Sequence, residues 1–232
     1  LFLLMKMLTG AMRIGVSRTL VERALAESAG VEQSVIAHRL SGDWTPSAAA
    51  MARLLSPDAG EADLSRPYPF FLASPVVPAE IPPETTELAL IETQLGSAGG
   101  WVAEWKWDGI RAQLIRREGR VFLWSRGDEN LTQRFPEVTD AAARWARDGV
   151  LDGELICWEH ERDRPRDFGA LQRRIGRDAV TPAVLAASPA VFIAYDLLEL
   201  DGVDRRDDPL ELRLGVLDEQ TSAIGSRAVR AS

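Results

Sequence analysis

Hydrophobic positions change their spacing twice along the chain. Up to residue 57 they recur at helical intervals, as Leu20, Val21, Ala24 and Leu25, then Val35, Ile36 and Leu40. Gly10, Gly15 and Gly30 punctuate these runs, and Thr45-Pro46-Ser47 marks a turn and a helix start before AAAMARLL. Between 57 and 86, seven of the thirteen prolines break any period, which predicts a semi-rigid linker or an extended wrapping segment. A short helix is expected over 87–95. From residue 101 a period of two takes over. WVAEWKW alternates, with Val102, Glu104 and Lys106 on one face and Trp101, Ala103, Trp105 and Trp107 on the other. RAQLIRR and VFLWS predict two strands joined at Glu118-Gly119, and PEVTDAAARWARD a helix with proline near its start. VLDGELICW and VFIAYDLLEL predict further strands; FGALQRRIG and residues 209–219 predict helices. The pattern reads as a multi-domain chain, all-α and then α+β: a helical part at 1–60, a Pro-rich linker at 61–86, and an α+β part at 87–232.

Composition removes several classes of function. The 232 residues, 46% apolar and 27% charged, have an ordinary globular balance. No apolar run is long enough for a bilayer, so no membrane partner is expected. One cysteine, Cys157, excludes an internal disulfide framework and a cysteine-built zinc site, and His38 and His160 do not make a histidine metal centre. The opening LFLLMKML lacks a signal-peptide cleavage pattern and reads as the middle of a helix, which predicts a cytoplasmic protein. The net charge of −8 is not that of a protein that coats nucleic acid through a general basic field. Residues 1–60 carry +1, 61–100 carry −5 and 101–232 carry −4, so any DNA contact rests on local arginines. Among 27 basic residues only Lys6 and Lys106 are lysines. An ammonium loses its proton when desolvated and becomes a nucleophile, whereas a guanidinium does not.

That contrast draws attention to Glu104-Trp105-Lys106-Trp107-Asp108-Gly109-Ile110-Arg111. On a strand, Glu104 and Lys106 would share a face, about 7 Å apart, with Trp105 and Trp107 anchored behind them. Arg111 would favour the free amine by like-charge repulsion, and Asp108 would oppose that effect and orient the amine or a metal. The glycine permits close approach of backbone to a ligand. An isolated K-x-D-G is more often a surface ion pair than a site. Its company shifts the balance: Ser125-Arg126-Gly127 at a strand tip, Asp152-Gly153-Glu154 in a strand, and Tyr195-Asp196 in another. Together they supply an amine, two arginines, carboxylates and an aromatic ring, the inventory of a nucleotide pocket.

The octet, S-R-G, D-G-E and A-Y-D-L-L resemble the first four motifs of ATP-dependent DNA ligases, members of the covalent nucleotidyltransferase superfamily with capping enzymes and RNA ligases. Arg134-Phe135-Pro136-Glu137, Leu171-Gln172-Arg173-Arg174 and, upstream, MLTGAMRIGVS extend the resemblance. Tyrosine stands at Tyr195 where many relatives carry phenylalanine. The resemblance implies an incomplete adenylation domain of nucleotidyltransferase, ATP-grasp-like type, preceded by the end of a helical DNA-binding domain. It implies that Lys106 attacks the α-phosphate of ATP, expels pyrophosphate and forms lysyl-AMP. Glu104 would meet the adenine amino group, Arg111 and Arg126 the ribose and later a 5′-phosphate, and Tyr195 the adenine ring. Glu154 would bind a ribose hydroxyl and help place Mg²⁺, and Asp108 would order the lysine. AMP would then pass to the 5′-phosphate of nicked duplex DNA for sealing. Lys6, Arg13 and Arg18 would touch DNA phosphates. The implied enzyme is a monomeric, nucleoid-associated bacterial ligase. No E-G motif after Asp196 and no lysine after Lys106 is found, so a truncated ligase is expected, one that self-adenylates poorly and does not seal nicks. An RNA ligase or capping-type enzyme, and a non-catalytic nucleotide- or DNA-binding remnant, are the alternatives.

Overall fold

The computed structural model describes residues 18–40, 47–57, 62–76, 86–176 and 180–232. Among the described residues up to 95, regular structure is helical: α1 Arg18–Ala29, α2 Gln33–Arg39, α3 Ala48–Leu54, α4 Ala62–Ser65 and α5 Glu87–Leu95. Ser47 caps α3, its Oγ accepting from the Ala50 amide at 3.1 Å. The buried face of α1 is not the one the spacing suggested. Leu20 and Val21 are exposed, while Glu22 and Ala26 turn inward, and Ala26 packs with Ile36 and Leu54.

The α+β part is built on a sheet whose described strands are β1 Ile110–Arg117, β2 Arg120–Ser125, β3 Gly149–Glu159, β4 Arg164–Pro165, β5 Ala190–Leu200, β6 Val203–Asp204 and β7 Val229–Ala231. The main order is β2-β1-β3-β5-β6, antiparallel throughout; β4 extends β3, and β7 lies parallel to β5. Helices α6 Pro136–Ala143, α7 Phe168–Ile175, α8 Pro182–Ala187 and α9 Leu210–Ile224 complete it. Leu114, Leu123, Leu151, Leu155, Phe192 and Leu197 fill one face of the sheet together with Phe135, Val138, Trp145, Leu217 and Ile224. That face is the main core, and apolar burial on it is the chief stabilising term.

The opposite face is shared. At one end Ile115, Phe122, Trp124, Val150 and Leu198 pack under Ala37, Leu64 and Tyr68. At the other end Ile156, Trp158, Val191 and Ile193 pack under Trp107. Between the two ends lies a row of polar side chains. Of the two readings of the Pro-rich stretch, its described residues 66–72 follow the wrapping one, because Tyr68 is hydrogen-bonded to Gln113 of β1.

Two sequence motifs turn out to hold the core closed. The Arg174 guanidinium is completely buried and grips Glu137 through both Nη atoms, at 2.5 and 2.6 Å. It also donates to the carbonyls of Arg134 (2.7 and 3.1 Å) and Ser188 (2.8 Å), and lies 4.4 Å from the Phe135 ring centroid. Glu137 accepts one further bond, from the Ala190 amide at 2.9 Å. One ion pair thus joins α6, α7 and the start of β5. Removing one partner of such a pair leaves a charge buried and uncompensated. Arg174→Ala is therefore expected to cost about 3–5 kcal/mol of unfolding free energy. Urea denaturation followed by circular dichroism checks this; a loss below about 1 kcal/mol would mean that the pair is dispensable.

Candidate active site

Alternation along three neighbouring strands puts one polar row on the sheet's second face. Arg111 of β1 pairs across from Glu154 of β3, and Asp152 lies two residues before Glu154 on the same side. Tyr195 reaches that face through an irregularity. The β3–β5 register steps from Gly153↔Ala194 to Asp152↔Asp196, so Tyr195 is the extra residue of a bulge. Bulges re-aim side chains, and here Tyr195 and Asp196 both turn away from the main core while Leu197 returns to it. Gly153 makes the close approach possible: a Cβ there would run into the Ile193 carbonyl oxygen and the Phe192 ring.

The row floors a cleft of about 970 Å³. Glu104, Lys106, Asp108, Arg111, Arg126, Glu154 and Tyr195 all line it, so the seven residues singled out for nucleotide chemistry meet in one place. Ser125 and Glu129 add polar wall, and Phe71, Leu72 and Ala73 close one side. Lys6 and Arg13 lie outside the described residues, and Arg18 is described only as the first residue of α1.

The structure corrects the expectation for the octet itself. Residues 101–108 form no strand: the last partners of β1 are Ala112↔Ser125 and Ile110↔Leu155, β2 ends at Ser125, and the rest of β3 pairs with β4 and β5 instead, at Trp158↔Pro165, Glu159↔Arg164 and Cys157↔Ala190. Lys106 therefore sits on an unpaired segment and is exposed. The tryptophans do not alternate into a core. Trp101 and Trp105 are 56% and 79% exposed, and only Trp107 packs, edge-on against Trp158 with ring centroids 6.1 Å apart. The Trp107 indole N–H also donates to Ser232 Oγ at 3.1 Å. Gly109 also serves the sheet, since a Cβ there would meet the Leu155 carbonyl and Ile156 Cγ2. Gly109 and Trp107 thus pin the end of the segment that presents Lys106.

Arg111 is the most constrained cation in the cleft. Its Nε and Nη2 donate to the two carboxylate oxygens of Asp152, at 3.3 and 3.0 Å, and Nη1 donates to the Phe71 carbonyl. The guanidinium also stands 5.9 Å from the Tyr195 ring centroid and 5.6 Å from that of Phe70. Sequence reading passed over Asp152 as a partner. Its place two residues before Glu154 in a strand was the available signal. Arg213 of α9 binds Asp196 through two bonds, at 2.8 and 3.1 Å, and so braces the bulge from behind.

Glu154, Glu104 and Asp152 are each held towards their neutral forms. Burial pushes Glu154 from its ordinary 4.5 up to about 7, against the pull of the Gly109 amide, Arg111 and Lys106. Glu104 is raised by desolvation and by the nearby Asp196. Desolvation also raises Asp152, despite its bonds to Arg111. The Tyr195 phenol is pushed well above its usual range by burial and by the surrounding carboxylates. A buried acid next to an amine and an arginine is an arrangement that stabilises when an incoming ligand supplies positive charge or hydroxyl donors. For a metal, no group of three or more His, Cys, Asp or Glu side chains is assembled among the described residues. Mg²⁺ needs no such cage where substrate phosphates and water supply most of its oxygens, and Glu154 fits the role of its single protein carboxylate. No helix among the described residues is long and apolar enough to cross a membrane.

An α+β sheet with an exposed lysine, paired arginines and an aromatic ring around one cleft is of the nucleotidyltransferase type. Comparison with known proteins narrows the class: the chain belongs to the ATP dependent DNA ligase domain family, whose model matches residues 85–231. It is 36% identical over 244 residues to a probable DNA ligase of Opitutus terrae, covering 93% of this chain and 23% of that protein. It is 30% identical over 218 residues to DNA ligase B of Mycobacterium tuberculosis, covering 93% of this chain and 41% of that one. The crystal structure of the ligase domain of LigD from M. tuberculosis matches 54% of this chain and 38% of its own, at 30% identity and a TM-score of 0.44. The chain thus spans between 23% and 41% of the length of these two sequence relatives.

The Glu154 shift has a consequence for stability. The folded chain holds the Glu154 proton more tightly than the unfolded chain does, so stability falls as pH rises from about 4.5 to about 7 and stays reduced above that. Glu154→Gln removes this contribution. In EDTA, the melting temperature of Glu154→Gln is expected to exceed that of the parent at pH 8 and to approach it near pH 4.5. Parallel melting curves for the two chains across that range would refute the assignment.

Proposed function

We propose that this chain carries the adenylation site of an ATP-dependent DNA ligase and that Lys106 is its nucleophile. The observation that carries this reading is the convergence of Glu104, Lys106, Arg111, Arg126, Glu154 and Tyr195 on one cleft from four separate stretches of sequence. Lys106 is the only lysine among the described residues and reaches the cleft from an unpaired segment. Its neutral amine would attack the α-phosphorus of ATP. A nitrogen–phosphorus bond forms, the bond to the pyrophosphate oxygen breaks, and pyrophosphate leaves; the amine gives up a proton. Arg111 and Arg126 would neutralise ribose-side and phosphate charge, which is most of what a protein can contribute to phosphoryl transfer. Tyr195 would stack on the adenine from the bulge, and Glu104 at the rim would accept from its amino group. Asp108 would orient the amine, and Glu154 would meet a ribose hydroxyl and a Mg²⁺ carried in by the phosphates.

The AMP so captured would pass to the 5′-phosphate of a nick in duplex DNA, and the adjacent 3′-hydroxyl would displace it. The division into a helical part at 1–60, a linker at 61–86 and an adenylation part at 87–232 belongs to this reading, with Lys6, Arg13 and Arg18 of the helical part on DNA phosphates. So do the monomeric state and the cytoplasmic, nucleoid-associated location.

Incubation with Mg²⁺ and α-labelled ATP, followed by intact-mass measurement, is expected to show a gain of one adenylyl group. Peptide mapping should place it on Lys106. Lys106→Ala should abolish the adduct, α-labelled GTP should give none, and Lys106→Arg should not rescue it, because a guanidinium stays protonated. An adduct that persists in Lys106→Ala would overturn the assignment.

A further inference from the structure

After α4 the chain runs along β1 without regular secondary structure, yet its backbone is held at intervals by β1 side chains. Arg117 Nη1 donates to the Arg66 carbonyl at 2.8 Å and to the Leu64 carbonyl at 3.2 Å. Gln113, fully buried, accepts from the Tyr68 amide at 2.7 Å and donates to the Tyr68 carbonyl at 3.0 Å, imitating a strand pair. Arg111 donates to the Phe71 carbonyl. Residues 111, 113 and 117 share one face of β1, so three successive grips follow one line. Tyr68 fixes the position along that line. Its hydroxyl donates to Glu199 Oε2 at 2.8 Å, a carboxylate that also takes Arg117 at 2.7 and 2.9 Å, and its ring lies 4.3 Å from the Arg206 guanidinium.

The far end of this segment is a wall of the cleft, through Phe71, Leu72 and Ala73. The consequence falls on Arg111. Of its five N–H donors, Asp152 takes two and the Phe71 carbonyl takes a third, with the Phe70 ring at 5.6 Å. Two donors remain for a ligand. Asp152 alone would leave the planar guanidinium free to tilt about its two-point contact; the Phe71 carbonyl opposes that tilt.

We propose that residues 66–73 are a positioning segment of the cleft: their register on β1, set by Tyr68, decides where the Arg111 guanidinium points. The positioning rests on geometry alone. Its effect on ATP rests on the nucleotide reading above.

A glycine inserted between Pro69 and Phe70 keeps the Tyr68 anchor and moves the Phe71 carbonyl out of register. Phenylglyoxal labelling of the full chain, mapped by peptide mass spectrometry, reads the freedom of Arg111 against the exposed Arg173 as reference. Labelling of Arg111 is expected to rise about tenfold on loss of one charge-assisted hydrogen bond. Affinity for ATP, measured by equilibrium dialysis, is expected to fall by a similar factor while Arg173 labelling stays level. If the insertion does not fold, Phe70→Leu serves instead: it keeps an apolar side chain, and should raise Arg111 labelling about threefold by removing the ring. Phe70→Tyr should restore the parent value. Unchanged Arg111 labelling in the folded variants overturns the proposal. A parent chain that shows the labelling contrast but binds no ATP supports the positioning and sinks only the nucleotide reading.

Discussion

A two-residue period, kept in register across β1, β3 and β5, is the constraint from which the site follows. Leu114, Leu151, Leu155, Phe192 and Leu197 must face the main core together. A slip of one residue in any strand would turn its apolar set to the other side. Once that set is placed, Arg111, Asp152 and Glu154 have nowhere to go but the opposite face. The functional row is thus fixed by the burial of residues that never touch it. β5 departs from it at two points, Tyr195 and Leu198, where its register against β3 steps by one residue, and the first of these adds the aromatic ring to the polar row.

Charges buried on this scaffold are handled by arginine. Arg111–Asp152, Arg117–Glu199, Arg174–Glu137 and Arg213–Asp196 each use more than one guanidinium nitrogen, and each also meets a backbone carbonyl. A planar fork suits two-point contact with a carboxylate, and it stays charged when desolvated. Lysine does neither well, which gives a physical meaning to its scarcity here: among the described residues the cations of these buried pairs are arginines, and Lys106 stands exposed at the cleft. The same division explains why Arg134-Phe135-Pro136-Glu137 and Leu171-Gln172-Arg173-Arg174, read as part of the family resemblance, prove to be structural. Glu137 and Arg174 meet across the core and not the cleft, Arg134 donates to the Ile175 carbonyl, and Arg173 is exposed.

Much of this was legible in the chain. Alternation located β1, β2, β3 and β5, and proline and glycine punctuation located the turn at Glu118-Gly119 and the start of α6. The residue types in four short motifs named the cleft before its geometry was known. What escaped was whatever depends on partners distant in sequence. Alternation over 101–107 predicts a strand, but a strand also needs neighbours free to bond with, and the end of β3 is taken by β4 and β5. Trp105 looked like an anchor for the same reason. Asp152 was hidden because its role is defined by Arg111, 41 residues away. The wrapping of residues 66–72 was open between two readings because proline breaks helix and sheet alike, and only Gln113 reveals which surface receives the segment.

The unpaired state of residues 101–108 has a chemical logic that a strand would lack. A lysine on a paired strand is held where the sheet puts it, with its backbone unable to follow a substrate. Lys106 instead hangs from two fixed points just downstream, the Trp107 ring against Trp158 and the close approach of Gly109 to β3. Its exposed side chain is held by no strand pairing, while the chain just downstream is fixed. Freedom of this kind costs entropy when a ligand orders the segment. On the adenylation reading proposed above, one side chain would thereby serve both the attack on an α-phosphate and the later handover of AMP, two steps in which the reacting phosphorus faces different partners. The rigid members of the site, Arg111 above all, supply the fixed frame against which such a movement has to be made.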